Sequence, residues 1–378
     1  MHLIVASLLL ALASSAYARQ APLPVPPAPP IAAKAYLLVD FNTGKQLAAH
    51  DPEMRVEPAS LTKLMTAYLT FTALKQGQIR PHQQVPVSAK AWKTIGSRMF
   101  IDPHKPVTVK QLLNGMIVES GNDASIALAE AVAGSEEAFV QLMNREAQRL
   151  GLKNTHFVNA TGLPDPDHYS TAEDLALLTS AIIRDFPKYY ELYSQKEFTY
   201  NKIKQANPNR LLWTDPAVDG VKTGYTESAG YCLIASARRG EHRLLSVVLG
   251  AASERARTAE SQKLLNYGFQ FYDSFRVQAK NQPVATLEVY KGTEDTVKAG
   301  FLNDVYVTLP KGQRSKLKAS VESLQPLVAP INAGQRVGTM KISVDGKPYR
   351  ELPVVALENV PVAGILGRSW DSLRLMFH

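Results

Sequence analysis

The stretch Pro58-Ala59-Ser60-Leu61-Thr62-Lys63-Leu64-Met65-Thr66 places a serine and a lysine three residues apart, at the start of a segment with helical apolar spacing. Side chains at positions i and i+3 of a helix share a face, so the Ser60 hydroxyl and the Lys63 amine can meet. If burial or a neighbouring cation disfavours the ammonium form, Lys63 can accept the serine proton and activate Ser60 as a nucleophile. The motif alone favours a simpler interpretation, a helix-capping serine and a solvated lysine, because Ser315 and Lys318 repeat the spacing outside any helical pattern.

Composition narrows the classes of function that the chain can have. Its 378 residues carry a formal net charge of +8, which favours an anionic neighbour such as anionic lipid or a cell-wall polymer. No basic run or RNA-binding aromatic motif supports a nucleic-acid partner. The single cysteine, Cys232, excludes a disulfide framework, and the eight histidines show no metal-ligand spacing. We therefore expect no metal, no cofactor and no nucleic acid.

The N-terminus carries the pattern of an export signal. Leu3 to Ala13 is an unbroken apolar and small run that is too short to span a membrane, and Ala16-Tyr17-Ala18 matches an Ala-x-Ala cleavage site. No lysine or arginine precedes the run, so a buried N-terminal helix is the alternative. We predict that residues 1–18 are a signal peptide, cleaved after Ala18, and that the protein is exported.

The rest of the chain divides into four segments that differ in amino-acid composition and hydrophobic pattern. Residues 19–34 are proline-rich and predict an extended linker. Residues 35–276 have strand patterns at both ends and helical patterns in the middle, which predicts an α/β domain whose sheet collects strands from both ends. Residues 277–357 contain short β-rich runs punctuated by Gly and Pro, which predicts a small β-sandwich domain. Residues 358–378 predict a C-terminal amphipathic helix.

The predicted tail helix has one apolar face. An arc of roughly 140° on a helical wheel contains its apolar residues, which are Val362, Ile365, Leu366, Trp370, Leu373, Met376 and Phe377. Arg368, Asp371 and Arg374 lie outside that arc. Such a helix can lie in a membrane interface with its arginines near anionic headgroups, or it can pack on its own β domain. We predict a membrane anchor.

Three short motifs follow one another along the chain. They are Ser60-Leu61-Thr62-Lys63, Ser120-Gly121-Asn122 and Lys222-Thr223-Gly224. Each is weak alone, but they fall at a helix start, at a break between helices and at a strand that would border the same cleft. This combination is typical of β-lactamases and penicillin-binding proteins.

With these motifs the chain resembles the serine-type D-Ala-D-Ala carboxypeptidases, the low-molecular-mass penicillin-binding proteins of the peptidase S11 type. The resemblance continues through residues 120–124, 218–224 and 246–250, the β domain and the tail. It implies a penicilloyl-serine transferase fold, similar to β-lactamases and transpeptidases. It also implies removal of the terminal D-Ala from peptidoglycan pentapeptides, acylation by β-lactam antibiotics, and a peripheral position on the periplasmic face of the cytoplasmic membrane.

The resemblance implies a role for each site residue. The catalytic positions are Ser60, Lys63, Ser120 and Lys222. The substrate-binding positions are Asn122, Thr223, Gly224, Tyr225 and Arg257. Ser60 would attack the substrate while Lys63, kept neutral by burial and by Lys222, takes its proton. Backbone N–H groups of Ser60 and Tyr225 would form the oxyanion hole, and Thr223 with Arg257 would bind the free carboxylate.

The sequence differs from the family pattern at two positions, and three alternative functions have to be weighed. Tyr225 stands where the family often has histidine, and Pro208 stands where relatives often carry a basic residue, for which Arg210 is a possible substitute. A β-lactamase is disfavoured because no Glu-x-x-Leu-Asn string lies between Asn122 and Lys222. A D,D-endopeptidase and a non-catalytic cell-wall-binding scaffold remain the alternatives.

Overall fold

The computed structural model of the protein describes residues 25–364. Its helices, in chain order, are α1 (Lys63–Lys75), α2 (Ala89–Lys93), α3 (Val109–Val118), α4 (Asn122–Ala133), α5 (Glu136–Leu150), α6 (Ala172–Asp185), α7 (Pro187–Tyr190), α8 (Leu211–Thr214) and α9 (Glu254–Phe271). Short 3-10 helices span Ala59–Thr62, Glu191–Ser194 and Arg314–Lys316.

The strands form two main sheets and several short pairs. In chain order they are β1 (Ala35–Asp40), β2 (Gln46–His50), β3 (Gln84–Val85), β4 (Val107–Thr108), β5 (Glu197–Tyr200), β6 (Ile203–Ala206), β7 (Val218–Thr226), β8 (Gly230–Arg239), β9 (His242–Ala251), β10 (Tyr272–Gln278), β11 (Pro283–Tyr290), β12 (Thr296–Gly300), β13 (Val305–Pro310), β14 (Leu317–Ser323), β15 (Leu327–Val328), β16 (Arg336–Val344) and β17 (Lys347–Ala356).

The first sheet joins strands from both ends of the first domain. Its order is β2-β1-β9-β8-β7, and the neighbouring strands in it are antiparallel. Both faces of β9 are buried, because Val248 packs with α9 while Val247 packs in the core of the helical lobe. The predicted α/β architecture is thus confirmed, and β7 is left as the edge strand.

Helix α1 runs through the middle of the helical lobe. Apolar residues cover nearly its whole circumference, as expected of a helix with no solvent face. Its buried hydroxyls are satisfied by backbone oxygens: Thr66 donates to Ala160 O at 2.7 Å, and Thr70 donates to Thr66 O at 2.7 Å. The helix is therefore a rigid support for Lys63, its first residue.

The second domain is all-β, as predicted. Its six-stranded sheet has the order β14-β16-β17-β12-β11-β15, and β10 pairs with β13 beside it. Strand β10 begins at Tyr272, within the range predicted for the first domain. The two domains touch where Lys45 Nζ donates to Thr308 O at 3.2 Å and where Thr43 Oγ1 lies 2.7 Å from Thr308 Oγ1.

The proline-rich segment behaves differently from a free linker. From residue 25 onward it is extended, but Val25, Ala28 and Ile31 pack against the core beneath α9. The Tyr267 hydroxyl donates to Pro26 O at 3.0 Å. Prolines fix the extended backbone, and the apolar residues between them supply a surface that is buried on the domain.

The prediction of a helix is wrong for residues 358–364, which form β contacts. Val360 and Val362 form β-bridges with Ile331 and Gly292, and the Ala363 N–H donates to Lys291 O at 2.8 Å. Pro361 disfavours a helix here because it disfavours helical backbone at the residue before it, and these β contacts compete for the neighbouring backbone groups. Residues 365–378, like the predicted signal peptide 1–18, lie outside the described residues. Within residues 25–364, no helix has the length and apolarity needed to cross a bilayer.

Candidate active site

Ser60 lies in a tight turn and does not cap a helix. The 3-10 helix Ala59–Thr62 precedes α1, so Ser60 is inside a helical turn, which rules out the simpler interpretation of its role. Ala59 adopts a left-handed φ of +48°, a strained conformation for a residue with a Cβ. One turn further on, Lys63 Nζ lies 2.9 Å from Ser60 Oγ.

The Lys63 amine is enclosed by oxygen atoms. Besides Ser60 it contacts Asn122 Oδ1 at 2.7 Å and the carbonyl oxygen of Thr161 at 2.6 Å. Its side chain is buried, and burial lowers the pKa of Lys63 well below its usual value, with a further lowering by Lys222. The carboxylate of Asp123 opposes this shift only in part. The environment therefore favours the neutral amine.

Asn122 is held by its neighbours in a single orientation. Its Nδ2 donates to Ile95 O at 2.7 Å, which leaves Oδ1 to face Lys63. Its backbone N–H donates to Ser97 O at 2.7 Å. These bonds attach the loop before α3 to the start of α4, so the side-chain amide of Asn122 is also a structural link.

Ser120 occupies the break between α3 and α4 with a left-handed φ of +67°. Gly121 is the N-cap residue of α4, although aspartate, here Asp123, is a residue type that often caps helices. The Asp123 carboxylate instead accepts the N–H groups of Met99 at 2.9 Å, Phe100 at 2.8 Å and Ile101 at 3.1 Å. A short acidic side chain after Gly-Asn predicts a cap from local sequence, but here three distant donors compete for it.

Lys222 approaches from the edge strand β7. Its Nζ donates to Ser120 Oγ at 2.9 Å and to Thr223 O at 3.1 Å. Burial lowers the pKa of Lys222 to about 7, with a smaller contribution from the positive charge of Arg257. The second amine is thus connected to the second hydroxyl, as Lys63 is to Ser60.

Gly224 allows the edge strand to lie against the serine turn. A Cβ at this position would lie 3.1 Å from Pro58 O and 3.3 Å from Ser60 N. Contacts this short are tighter than most Cβ contacts, so a side chain here would require the strand or the turn to shift by a few tenths of an ångström. The backbone of β7 therefore runs directly beside the Ser60 N–H.

Arg257 presents a guanidinium next to this strand. It is buried, and its Nη1 donates to Gly224 O at 3.2 Å, while the Tyr231 ring lies 5.6 Å from its guanidinium carbon. Its Nε has no hydrogen-bond partner within residues 25–364. Thr223 is also buried, whereas Tyr225 is half exposed, and its ring packs at a tilt against the Tyr231 ring with 4.3 Å between the centroids. Helix α9 thus places the guanidinium of Arg257 beside β7.

The structure brings together the four predicted catalytic residues, and Asn122, Thr223, Gly224 and Arg257 lie among them. Arg210 donates to Glu254 at 3.0 Å, on the side of α9 that faces solvent. Thr161 was not predicted, because it contributes a backbone carbonyl and its side chain gives no signal. Among residues 25–364 no group of His, Cys, Asp and Glu could hold a metal ion.

Comparison with known proteins gives consistent matches over both domains. The family model for D-alanyl-D-alanine carboxypeptidases matches residues 23–253, and the model for the C-terminal domain of penicillin-binding protein 5 matches residues 272–362. The D-alanyl-D-alanine carboxypeptidase DacA of Escherichia coli is 43% identical over 362 residues, which cover 94% of this chain and 90% of the relative.

Solved structures agree with the sequence matches. Penicillin-binding protein 5 from Haemophilus influenzae has a TM-score of 0.83 and 43% identity, and the match covers 88% of this chain and 98% of that one. Penicillin-binding protein D2 from Listeria monocytogenes, in an ampicillin-bound form, has a TM-score of 0.60 and 31% identity over 65% of this chain and 100% of that one. The fold, the arrangement of the three motifs and these matches lead to one conclusion: the chain belongs to the D-alanyl-D-alanine carboxypeptidase family.

Proposed function

We propose that this protein removes the terminal D-Ala of peptidoglycan pentapeptides through an acyl-enzyme on Ser60. The observation that carries the proposal is the set of partners around Lys63 Nζ. Asn122 Oδ1 and Thr161 O can only accept hydrogen bonds, so they take the two N–H groups of a neutral amine. The remaining lone pair faces the Ser60 hydroxyl, 2.9 Å away. Lys63 is therefore placed to act as the general base.

The first step is attack on the scissile amide. Ser60 Oγ bonds to the carbonyl carbon of the penultimate D-Ala as its proton passes to Lys63. The negative charge that develops on the carbonyl oxygen would be stabilised by the N–H groups of Ser60 and Tyr225, each worth about 3–4 kcal/mol. Gly224 supports this role because it allows β7 to approach the Ser60 N–H closely.

The second step is departure of the terminal residue. The C–N bond breaks, and the amine nitrogen of the leaving D-Ala takes a proton delivered through the Ser120 hydroxyl. Lys222 lies behind that hydroxyl and can replace the proton. Water then attacks the acyl-enzyme and gives a proton to the Lys222 amine, the ester bond breaks, and Ser60 regains its proton from Lys63.

Recognition of the leaving residue falls to Arg257 and Thr223. A free carboxylate suits a guanidinium, and that of Arg257 lies beside β7, where its Nη1 donates to Gly224 O. Penicillins also present a carboxylate close to a reactive amide. The ampicillin-bound relative supports the expectation that β-lactams acylate Ser60 here as well.

Mass spectrometry after exposure to penicillin and to a pentapeptide ending in D-Ala-D-Ala tests the proposal. We expect a stable adduct on Ser60 and release of D-Ala, both lost in Ser60→Ala. Ser315→Ala is the matched control, because it removes the serine of the other Ser-x-x-Lys sequence and should change neither result. Rapid penicillin turnover would indicate a β-lactamase, and cleavage of cross-linked dimers without D-Ala release would indicate an endopeptidase. If neither a penicillin adduct nor D-Ala release is found, the protein would be a non-catalytic cell-wall-binding scaffold.

We also propose that the protein is attached peripherally to the periplasmic face of the cytoplasmic membrane. The support is the export signal pattern, the formal net charge of +8 and the apolar arc in the sequence of the C-terminal segment. Deleting residues 365–378 should move the protein from membrane fractions to the soluble fraction without loss of D-Ala release. Retention of the shortened protein on membranes would contradict the anchor.

A further inference from the structure

His168 is a buried histidine without an assigned role. It lies in the loop between α5 and α6, with 2% of its surface exposed. Its Nε2 lies 2.7 Å from Thr62 Oγ1, and its Nδ1 accepts the backbone N–H of Val158 at 3.2 Å. The Phe157 ring packs edge-on against it, with 5.7 Å between the ring centroids. The imidazole therefore joins two segments that are distant in sequence.

These contacts define one protonation state. A backbone N–H can only donate, so Nδ1 must present a lone pair to Val158. A neutral imidazole with a free Nδ1 carries its proton on Nε2, which therefore donates to Thr62 Oγ1. An imidazolium would direct a second N–H toward the Val158 N–H and lose that bond. The arrangement requires the neutral Nε2–H tautomer.

Both hydrogen-bond partners of His168 belong to segments that hold or contact Lys63. Thr62 directly precedes Lys63, in the turn that carries Ser60. Val158 begins the loop that ends in Thr161, whose carbonyl oxygen accepts the Lys63 amine at 2.6 Å. A displacement between these two segments would change the distance between the amine and its acceptor. His168 holds them together by one bond to each.

We propose that His168 is a positioning residue for the general base: its two hydrogen bonds fix the Ser60–Lys63 turn relative to the loop that supplies the Thr161 carbonyl. The proposal rests on the proposed function, because it concerns the reactivity of Lys63 in serine acylation. His168 itself does not contact the reacting atoms.

The charges around the ring agree with this role. Burial is the main effect that lowers the pKa of His168, to about 4, and the nearby carboxylate of Asp165 only partly opposes it. The histidine therefore stays neutral at any pH at which Lys63 could work, and it adds no positive charge beside the amine.

Loss of the two hydrogen bonds of His168 should change the pKa of Lys63. When the Thr161 loop moves away, water reaches the amine and the desolvation that lowers its pKa becomes smaller. The pKa of Lys63 then rises toward its usual value, and a larger fraction of the amine is protonated at neutral pH. The acid limb of the acylation rate, which reports deprotonation of Lys63, should therefore move to higher pH.

The test is the pH profile of Ser60 acylation by penicillin, measured for wild type, His168→Gln and His168→Leu. Glutamine can still reach Thr62 but lacks the acceptor for Val158, and leucine loses both bonds. We expect His168→Leu to slow acylation at pH 7 by about tenfold or more and to move the acid limb upward by about one pH unit, with His168→Gln between it and wild type. The affinity for the unreacted penicillin should change little.

Phe157→Leu is the matched control, because it disturbs packing on the same ring without removing a hydrogen bond. It should lower stability and leave the acid limb in place. If the His168 variants keep the wild-type acid limb and rate, or if Phe157→Leu moves the limb equally, the proposal is overturned. If wild type forms no Ser60 adduct and releases no D-Ala, the proposed function fails instead.

Nitrogen NMR of histidine-labelled wild type gives a test that does not depend on a folded variant. At pH 5, where an ordinary histidine is mostly protonated, the His168 signal should show a neutral ring with the proton on Nε2. The signal is assigned by through-bond correlation from the backbone of His168 to its ring, independently of how the ring titrates. A protonated ring at pH 5, or the Nδ1–H tautomer, would overturn the proposal even if both variants fail to fold.

Discussion

Lys222 donates a 2.9 Å hydrogen bond to the Ser120 hydroxyl from within the protein interior, where its pKa is lowered to about 7. A lysine with a lowered pKa binds fewer protons in the folded state than in the unfolded state. Between pH 7 and pH 10.5 the unfolded chain therefore carries the extra proton, and stability rises with pH across that window. At pH 7 and below, the buried amine opposes folding to its full extent.

We therefore predict that Lys222→Met stabilises the protein while abolishing D-Ala release. The gain should be about 2–4 kcal/mol at pH 7, after allowance for the lost hydrogen bonds, and should shrink toward pH 10. Urea unfolding at pH 7 and pH 10 measures it. Lys318→Met, which removes an exposed lysine on β14, is the control and should be nearly neutral at both pH values. Equal behaviour of the two variants would contradict the prediction.

Asn122→Asp should raise the pKa of Lys63. The substitution is isosteric but places a carboxylate where Oδ1 now lies, 2.7 Å from the amine. An opposite charge at this distance favours the ammonium form, which cannot accept the Ser60 proton. Acylation by penicillin at pH 7 should fall by about 10²-fold or more and recover partly at higher pH. A profile that is lower at all pH values but unshifted would contradict this cause, and Asn154→Asp at the surface is the control.

Gly162→Ala should prevent correct folding of the site, whereas Gly151→Ala should not. Both glycines have left-handed φ values, +84° and +77°. An added Cβ at Gly162 would overlap the carbonyl of Ala59, whereas at Gly151 it would meet nothing within 4 Å. The Gly151 variant should therefore lose only about 1–2 kcal/mol for the left-handed backbone. Penicillin binding and thermal unfolding of both variants measure the difference, and similar losses at the two positions would contradict the structural explanation.

Three short motifs and the family resemblance they carry identified the residues that the structure brings together. Helical spacing predicted that Ser60 and Lys63 can meet, and their side chains lie 2.9 Å apart, whereas the place of Lys222 beside them followed from the resemblance. The same local rules failed for Asp123, because its hydrogen-bond partners come from a distant loop. They also failed for Val362, because its isolated β-bridge to Gly292 competes with the helix. Contacts between segments that are far apart in sequence decide both cases.

Backbone contributions were the least predictable part of the site. The Thr161 carbonyl contacts Lys63 through an atom that every residue possesses, so no residue type marks it. His168 is a similar case, since a lone histidine in a loop carries no pattern. The fold and the side chains of the three motifs could thus be predicted, whereas the backbone carbonyl and the histidine beside Lys63 required the structure.

Glu119, the residue before Ser120, gives the last prediction. It is buried, and neither carboxylate oxygen has a partner among residues 25–364. Burial, reinforced by the charge of Asp123, raises its pKa to about 8. A raised carboxyl pKa means that the folded state binds more protons than the unfolded state between pH 4.5 and pH 8, so this residue makes stability fall as pH rises through that window.

Glu119→Gln keeps the shape and removes the charge, so it should stabilise the protein by about 2–4 kcal/mol at pH 8 and by much less at pH 5. Urea unfolding at the two pH values measures the difference. Glu227→Gln, at an exposed glutamate, is the control and should change stability little at either pH. A gain that is the same at pH 5 and pH 8 would show that the buried carboxyl is ionised in the folded protein, and that burial beside Asp123 does not hold its proton.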